Sequence, residues 1–149
     1  MSWKTKPAAL AAATTAAVAL TASSAQASTP FSASGGTGNM VIHLPGTANI
    51  TCTSTLSGTM ATGSFSVTAA TATGCNVTVT PQNLPWSGGI NGNTITMYFA
   101  MKTLGCTYYG TLTGSWPPAA FVSQHVNGSG GILCVSGTTV DATYAFTQP

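Results

Sequence analysis

Between Ile50 and Met60 the chain alternates without a break. Ile50, Cys52, Ser54, Leu56, Gly58 and Met60 fall on one parity, and Thr51, Thr53, Thr55, Ser57 and Thr59 on the other. A period of two sends successive side chains to opposite faces, so this stretch reads as a β-strand with one face inward and a hydroxyl-bearing face outward. The same pattern recurs in Met40–Leu44, in Phe65, Val67 and Ala69, in Val77 and Val79, and in Ile95, Met97, Phe99 and Met101. It continues in Cys106–Gly114, Phe121–Val126, Ile132–Val135 and Val140–Phe146. About nine short strands are expected.

The intervals carry turn chemistry: Pro45-Gly46, Thr73-Gly74, Gly88-Gly89, Asn91-Gly92, Pro117-Pro118, Asn127-Gly128, Gly130-Gly131 and Ser136-Gly137. Strands punctuated this regularly, with no helical stripe, indicate an all-β domain over residues 40–149, a single antiparallel β-sandwich or partly closed barrel. The Ser/Thr/Gly-rich segment 28–39 is expected to be a flexible lead or a loose edge.

The amino end predicts export. Lys4 and Lys6 precede an Ala-rich apolar run from Ala8 to Leu20, and Ala25-Gln26-Ala27 is a small-x-small cleavage site, so residues 1–27 read as a secretory signal removed before Ser28. The chain contains no arginine, which excludes a twin-arginine signal. Beyond residue 27 no apolar run approaches the roughly 18 to 20 residues of a membrane-spanning helix. The expected destination is extracellular or cell-surface associated.

Beyond residue 27 the only charged side chains are Lys102 and Asp141. A nucleic-acid groove needs several cations against phosphates, and an anionic-membrane anchor needs a cluster of them. Neither is available, and no nucleic-acid partner is expected.

Cys52, Cys75, Cys106 and Cys134 all fall in the exported part. An even count in an oxidising compartment reads as two disulfides. Of the three pairings, Cys52 with Cys75 and Cys106 with Cys134 is favoured, because each then closes a local loop within one half of a strand meander. Zinc is disfavoured, since the cysteines lack a C-x(2-4)-C step.

The stretch Val77-Thr78-Val79-Thr80-Pro81-Gln82-Asn83-Leu84-Pro85-Trp86, together with the export signal, the cysteine order and the Thr/Tyr-bearing close Ala142–Gln148, resembles a group of small secreted actinobacterial proteins with a V-T-P-x-x-L-P-W segment. That group has no established biochemical activity. The resemblance implies secretion and a β fold, and carries over no catalytic residue.

The inventory argues against enzyme chemistry. Glycoside hydrolysis normally needs two carboxylates flanking the bond, and Asp141 is the only carboxylate side chain. A serine hydrolase could draw on His43 or His125, Asp141 and a serine, but no G-x-S-x-G elbow is present. His43, His125 and Asp141 lack metal-ligand spacing, so no metal and no cofactor is expected. The histidines are read as solvated or hydrogen-bonded strand residues, Lys102 as a solvated charge at a strand end, and Asp141 as serving a turn or an edge strand.

Aromatic rings are the stronger functional clue. Trp116, Trp86, Tyr98, Tyr108 and Tyr109 are the candidate ligand contacts, with Tyr144 a further polar-tipped ring. On a β-sandwich such rings can form a platform for sugars, although Trp86 also fits a core plug. Tyr108 and Tyr109 must face opposite sides of one strand, so at most one belongs to any platform. The expected function is a secreted, non-enzymatic binding or structural module that binds a glycan or cell-envelope component. The alternatives are a self-assembling surface component, favoured by near-zero charge and uncharged strand edges, and a small pore-forming barrel.

Overall fold

The computed structural model of the chain describes residues 27–148, and the secondary structure within them is entirely β. The signal expected at residues 1–27 lies, apart from Ala27, outside the described residues. Eleven strands follow in order: β1 (Thr29–Ser34), β2 (Met40–His43), β3 (Ile50–Ala61), β4 (Ser64–Thr73), β5 (Thr80–Pro81), β6 (Trp86–Asn91), β7 (Thr94–Thr103), β8 (Cys106–Ser115), β9 (Ala119–His125), β10 (Asn127–Ser129) and β11 (Thr139–Thr147).

Every pairing is antiparallel, and the path β8-β9-β11-β1-β3-β4-β6-β7 returns to β8, closing an eight-stranded barrel. The other three strands are additions. β2 takes over from β1 between the same two neighbours, β11 and β3, while β5 pairs β7 and β10 pairs β8.

Eight strands enclose a space that side chains can fill. The alternation read from the sequence decides which ones. Ile50, Cys52, Ser54 and Leu56 of β3, Ile95, Met97, Phe99 and Met101 of β7, and Val140, Ala142 and Tyr144 of β11 all point inward and are buried. Trp86, Phe121, Met40 and Ile42 complete the packed interior. Gly88 shares the inward parity of Trp86, and a Cβ there would fall inside the Phe65 ring, so the missing side chain makes room for a core aromatic. One barrel end is closed by Phe31 stacked on Phe146 at 4.9 Å, with Phe65 and Trp116 edge-on to Phe146.

The disulfides are Cys52–Cys75 and Cys106–Cys134. Both lie toward the opposite end, where the β2–β3 and β7–β8 connections also fall. In the chain-entropy model loops of this length are worth roughly 3 to 3.5 kcal/mol each.

Several expectations need correction, among them the turns at Gly88-Gly89 and Asn127-Gly128, which lie inside β6 and β10. Thr29–Ser34, placed in the flexible lead, is strand β1, paired with β3 on one side and β11 on the other, because Phe31 and Ala33 supply an inward face. Val77–Val79 forms no strand: the Thr78 carbonyl is taken by the Thr103 hydroxyl at 2.9 Å rather than by a ladder partner. Ile132–Val135 forms none either, since Cys134 donates back to the Gly131 carbonyl in a tight turn tethered to Cys106. Ile132 and Leu133 are left outside, 101% and 85% exposed.

Candidate functional site

Of the five aromatic candidates, two share one outer face, both half-buried, with Tyr98 also packed against the core. Inward Met97, Phe99 and Met101 fix the parity of β7, which turns Tyr98 outward. Inward Tyr108 does the same on β8 and turns Tyr109 outward. In the β7–β8 ladder Tyr98 is opposite Thr111 and Tyr109 is opposite Ala100, so the tyrosines are diagonal neighbours on one outer face. Diagonal cross-strand side chains lie within reach of one another when they are long or aromatic.

Beside Tyr98 runs an open groove of about 360 Å³ lined by Ser87, Gly89, Thr96 and Thr111. On the outward parity of β6, Gly89 leaves open the space that a side chain opposite Thr96 would take. Beyond Tyr109, Asn127 of β10 continues the polar surface. The arrangement places two partly exposed tyrosines side by side, bordered by hydroxyl and amide groups. Such a surface can stack on the apolar face of a ring while hydrogen-bonding its rim.

The other three candidates are elsewhere. Trp86 is fully buried, its indole N–H donating to the Gln82 carbonyl at 2.7 Å and its ring 5.7 Å from Phe99. Tyr108 is 2% exposed. Neither can touch a surface ligand, because inward parity puts both among the core side chains. Tyr144 is buried too, donating to the Ser54 hydroxyl at 2.7 Å. Trp116 is half-buried and packs edge-on against Phe146, 5.1 Å between centroids, as a lid on the barrel end rather than as part of the tyrosine face.

A polar cluster forms on the β2–β11–β9 side. His43 Nε2 lies 2.8 Å from Asp141 Oδ2, and Asp141 Oδ1 accepts the Ser123 backbone N–H. The Ser123 N–H holds the Asp141 carboxyl below its ordinary value of 3.8, against partial burial acting the other way and with further help from His43. Ser123 has φ +50 where the β9–β11 register slips, so Asp141 pins a β-bulge in the interior of the sheet rather than a turn or an edge. Both carboxylate oxygens are occupied, and Ser123 contributes its backbone rather than its hydroxyl. His125 lies on the far side of Thr139 from His43. Among the described residues no three His, Cys, Asp or Glu side chains are grouped to hold a metal ion.

The sequence reads Gly88-Gly89 as a turn where the structure has strand β6, and it does not single out Ser87, Thr96 or Thr111. Each sits on the outward parity of a strand, and only the cross-strand register shows that they surround Tyr98. No known protein family, curated protein or solved structure matches the chain.

Proposed function

We propose that the protein is a secreted, non-enzymatic binding module acting at or near the cell surface, and that it takes carbohydrate on the Tyr98–Tyr109 face. The observation that carries this reading is the diagonal pair of outward tyrosines beside a hydroxyl-lined groove. The two disulfides fit an oxidising, extracellular setting. Among the described residues no helix is long and apolar enough to cross a membrane. The pore reading has less support: β3 turns Thr51, Thr53 and Thr55 outward while apolar side chains fill the interior, the reverse of a lipid-facing barrel.

The test is binding of the mature protein to a glycan array and to insoluble polysaccharides. Tyr98→Ala and Tyr109→Ala should each weaken binding about tenfold, given the usual worth of one stacked ring, whereas Trp116→Ala should leave affinity unchanged. A blank array, or tyrosine variants that bind as well as wild type, sinks the reading.

One observation favours a second reading, self-association. Among the described residues barrel closure leaves short edges: β5, β10, and the stretches of β4 and of the β8–β9 seam without a ladder partner, so edge pairing has little to work with. The loop tips differ. Ile132 and Leu133 stand fully or nearly fully in solvent, and Leu104 of the β7–β8 turn is 63% exposed at the same end. Sedimentation should then show concentration-dependent association that Ile132→Ser with Leu133→Ser abolishes. A monomer at every concentration rules it out.

A further inference from the structure

We propose that the ligand of the tyrosine face is an acidic glycan, and that Lys102 holds its anionic group. This rests on the platform reading above and adds the ligand's charge class. Lys102 shares the outward parity of Tyr98 on β7, with the fully buried Ala100 between them, and the ladder orders the row as Tyr98, then Tyr109 across from Ala100, then Lys102 across from Thr107. Tyr98 and Lys102 are four residues apart on one strand, about 13 Å at the usual rise. That span suits an oligosaccharide lying along the strand rather than a single sugar.

The cation end of this row has its own recess. A groove of about 410 Å³ is lined by Thr78, Thr80, Gln82 and Lys102, with Thr80 directly across from Lys102 in the β5–β7 pair. Its wall is fixed by two bonds, Thr103 Oγ1 to the Thr78 carbonyl at 2.9 Å and the Gln82 N–H to the Ala100 carbonyl at 2.9 Å. Thr78, Thr80 and Gln82 line the same recess as Lys102, and their hydroxyls and amide can bond to the remaining oxygens of a carboxylate or phosphate.

Charge placement points the same way. Lys102 is the only cationic Lys or Arg side chain beyond residue 27. Among the described residues it takes part in no ion pair. The one carboxylate side chain, Asp141, is three strands around the barrel on β11, with both oxygens already bonded. An anion at Lys102 thus meets a cation with no counter-ion and no facing carboxylate among the described residues. Beyond residue 27, where Lys102 and Asp141 are the only charged side chains, the single cationic one sits at the end of the aromatic row.

The experiment uses the mature protein on an array carrying neutral, carboxylated and phosphorylated glycans. It is followed by titration with tetragalacturonate and with its methyl ester, which presents the same rings without charge. Wild type should favour acidic members about tenfold at low ionic strength, a preference that shrinks as salt is added. Lys102→Met should erase the preference while retaining neutral-glycan binding, and Lys102→Arg should restore it. The carboxylated and phosphorylated sets separate a uronic-acid polymer from a phosphate-bearing one.

Equal binding of acidic and neutral glycans, or a preference that survives Lys102→Met, overturns the Lys102 assignment while Tyr98 dependence keeps the platform standing. Binding to no glycan, or binding insensitive to Tyr98→Ala and Tyr109→Ala, overturns both. Lys102 is exposed, so an unchanged unfolding temperature in both lysine variants distinguishes lost recognition from lost structure.

Discussion

Asn39 does more for the barrel than its place in a Ser/Gly-rich connection suggests. β1 stops pairing with β3 at Ser34–Thr55, and β2 resumes at Met40–Cys52, which leaves a gap in two ladders at once. Asn39 fills it. Its Nδ2 donates to the Ser54 and Thr143 carbonyls at 3.0 and 2.9 Å, its Oδ1 accepts the Ser54 N–H at 2.7 Å, and its own carbonyl accepts the Thr143 N–H at 3.0 Å. Asn39→Ala leaves three backbone groups unpaired and should cost about 2 kcal/mol in denaturant unfolding. Asn39→Asp should be no better, because it removes the donor. An alanine variant within experimental error of wild type would show that water replaces the amide.

Beneath the same gap, burial pushes the Tyr144 hydroxyl up to about 12, only partly offset by its contact with Ser54. The folded protein therefore holds this proton more tightly than the unfolded chain, whose ordinary value is 10.0. The resulting stability is complete below about pH 10 and is lost as pH rises toward 12, to the extent of about 2–3 kcal/mol. Tyr144→Phe should flatten that alkaline slope in equilibrium unfolding while lowering stability at neutral pH. An unchanged slope would place the alkaline sensitivity elsewhere.

At the scale of elements, the β7–β8 hairpin sets the site. Thr103 pairs with Cys106 across a two-residue turn, Leu104-Gly105, whose residues have φ of +52 and +78, as a type I′ turn requires. The turn fixes the register and so brings Tyr98 diagonal to Tyr109. Leucine is a poor residue for positive φ, and here it also exposes its side chain. Leu104→Asn should raise stability by about 0.5–1 kcal/mol. If the loop tips associate, the same change should weaken association in sedimentation. A destabilised asparagine variant would mean that Leu104 makes a contact that offsets its backbone strain.

This hairpin also shows what the sequence could reveal. Alternation along Ile95–Met101 and Cys106–Gly114 identifies both strands and their inward faces, and the parity of Tyr108 and Tyr109 follows. Which outward residues become neighbours depends on register, and Leu-Gly does not advertise the tight turn as Asn-Gly would. Elsewhere the pattern was too short or misled. β1 shows only Phe31 and Ala33, and β5 and β10 are too brief for any period. Ile132-Leu133 carries strand-forming residues in a segment that Gly131 and the Cys134 tether turn back on itself.

For the whole molecule, the least secure part of the barrel is the seam between β8 and β9. Their ladder has the single pair Ser115–Ala120, whereas β3–β4 and β7–β8 pair along most of their length. Below that pair the Gln124 side chain substitutes for a strand partner, its Oε1 accepting the Thr113 N–H at 2.9 Å. Pairing resumes only when β10 meets β8 at Tyr109–Asn127 and continues to Thr107–Ser129. Cys106–Cys134 anchors this lower part, joining the start of β8 to the loop that follows β10.

Removing that disulfide by Cys106→Ser with Cys134→Ser should therefore loosen the seam before the rest. Native-state hydrogen exchange should speed at least tenfold at those Asn127–Ser129 and Thr107–Tyr109 amides that are hydrogen-bonded, while the β3–β4 amides keep their protection. Cys52→Ser with Cys75→Ser should spare the seam and act at the start of β3, where Asn76 bonds Thr51 and Asn49. Acceleration spread evenly over all strands in the first variant would show that the barrel opens as one unit and that the seam has no independence. Because Tyr109 and Lys102 both border this corner, a localised opening should also weaken any glycan binding that depends on them, whereas loosening at β3 should not.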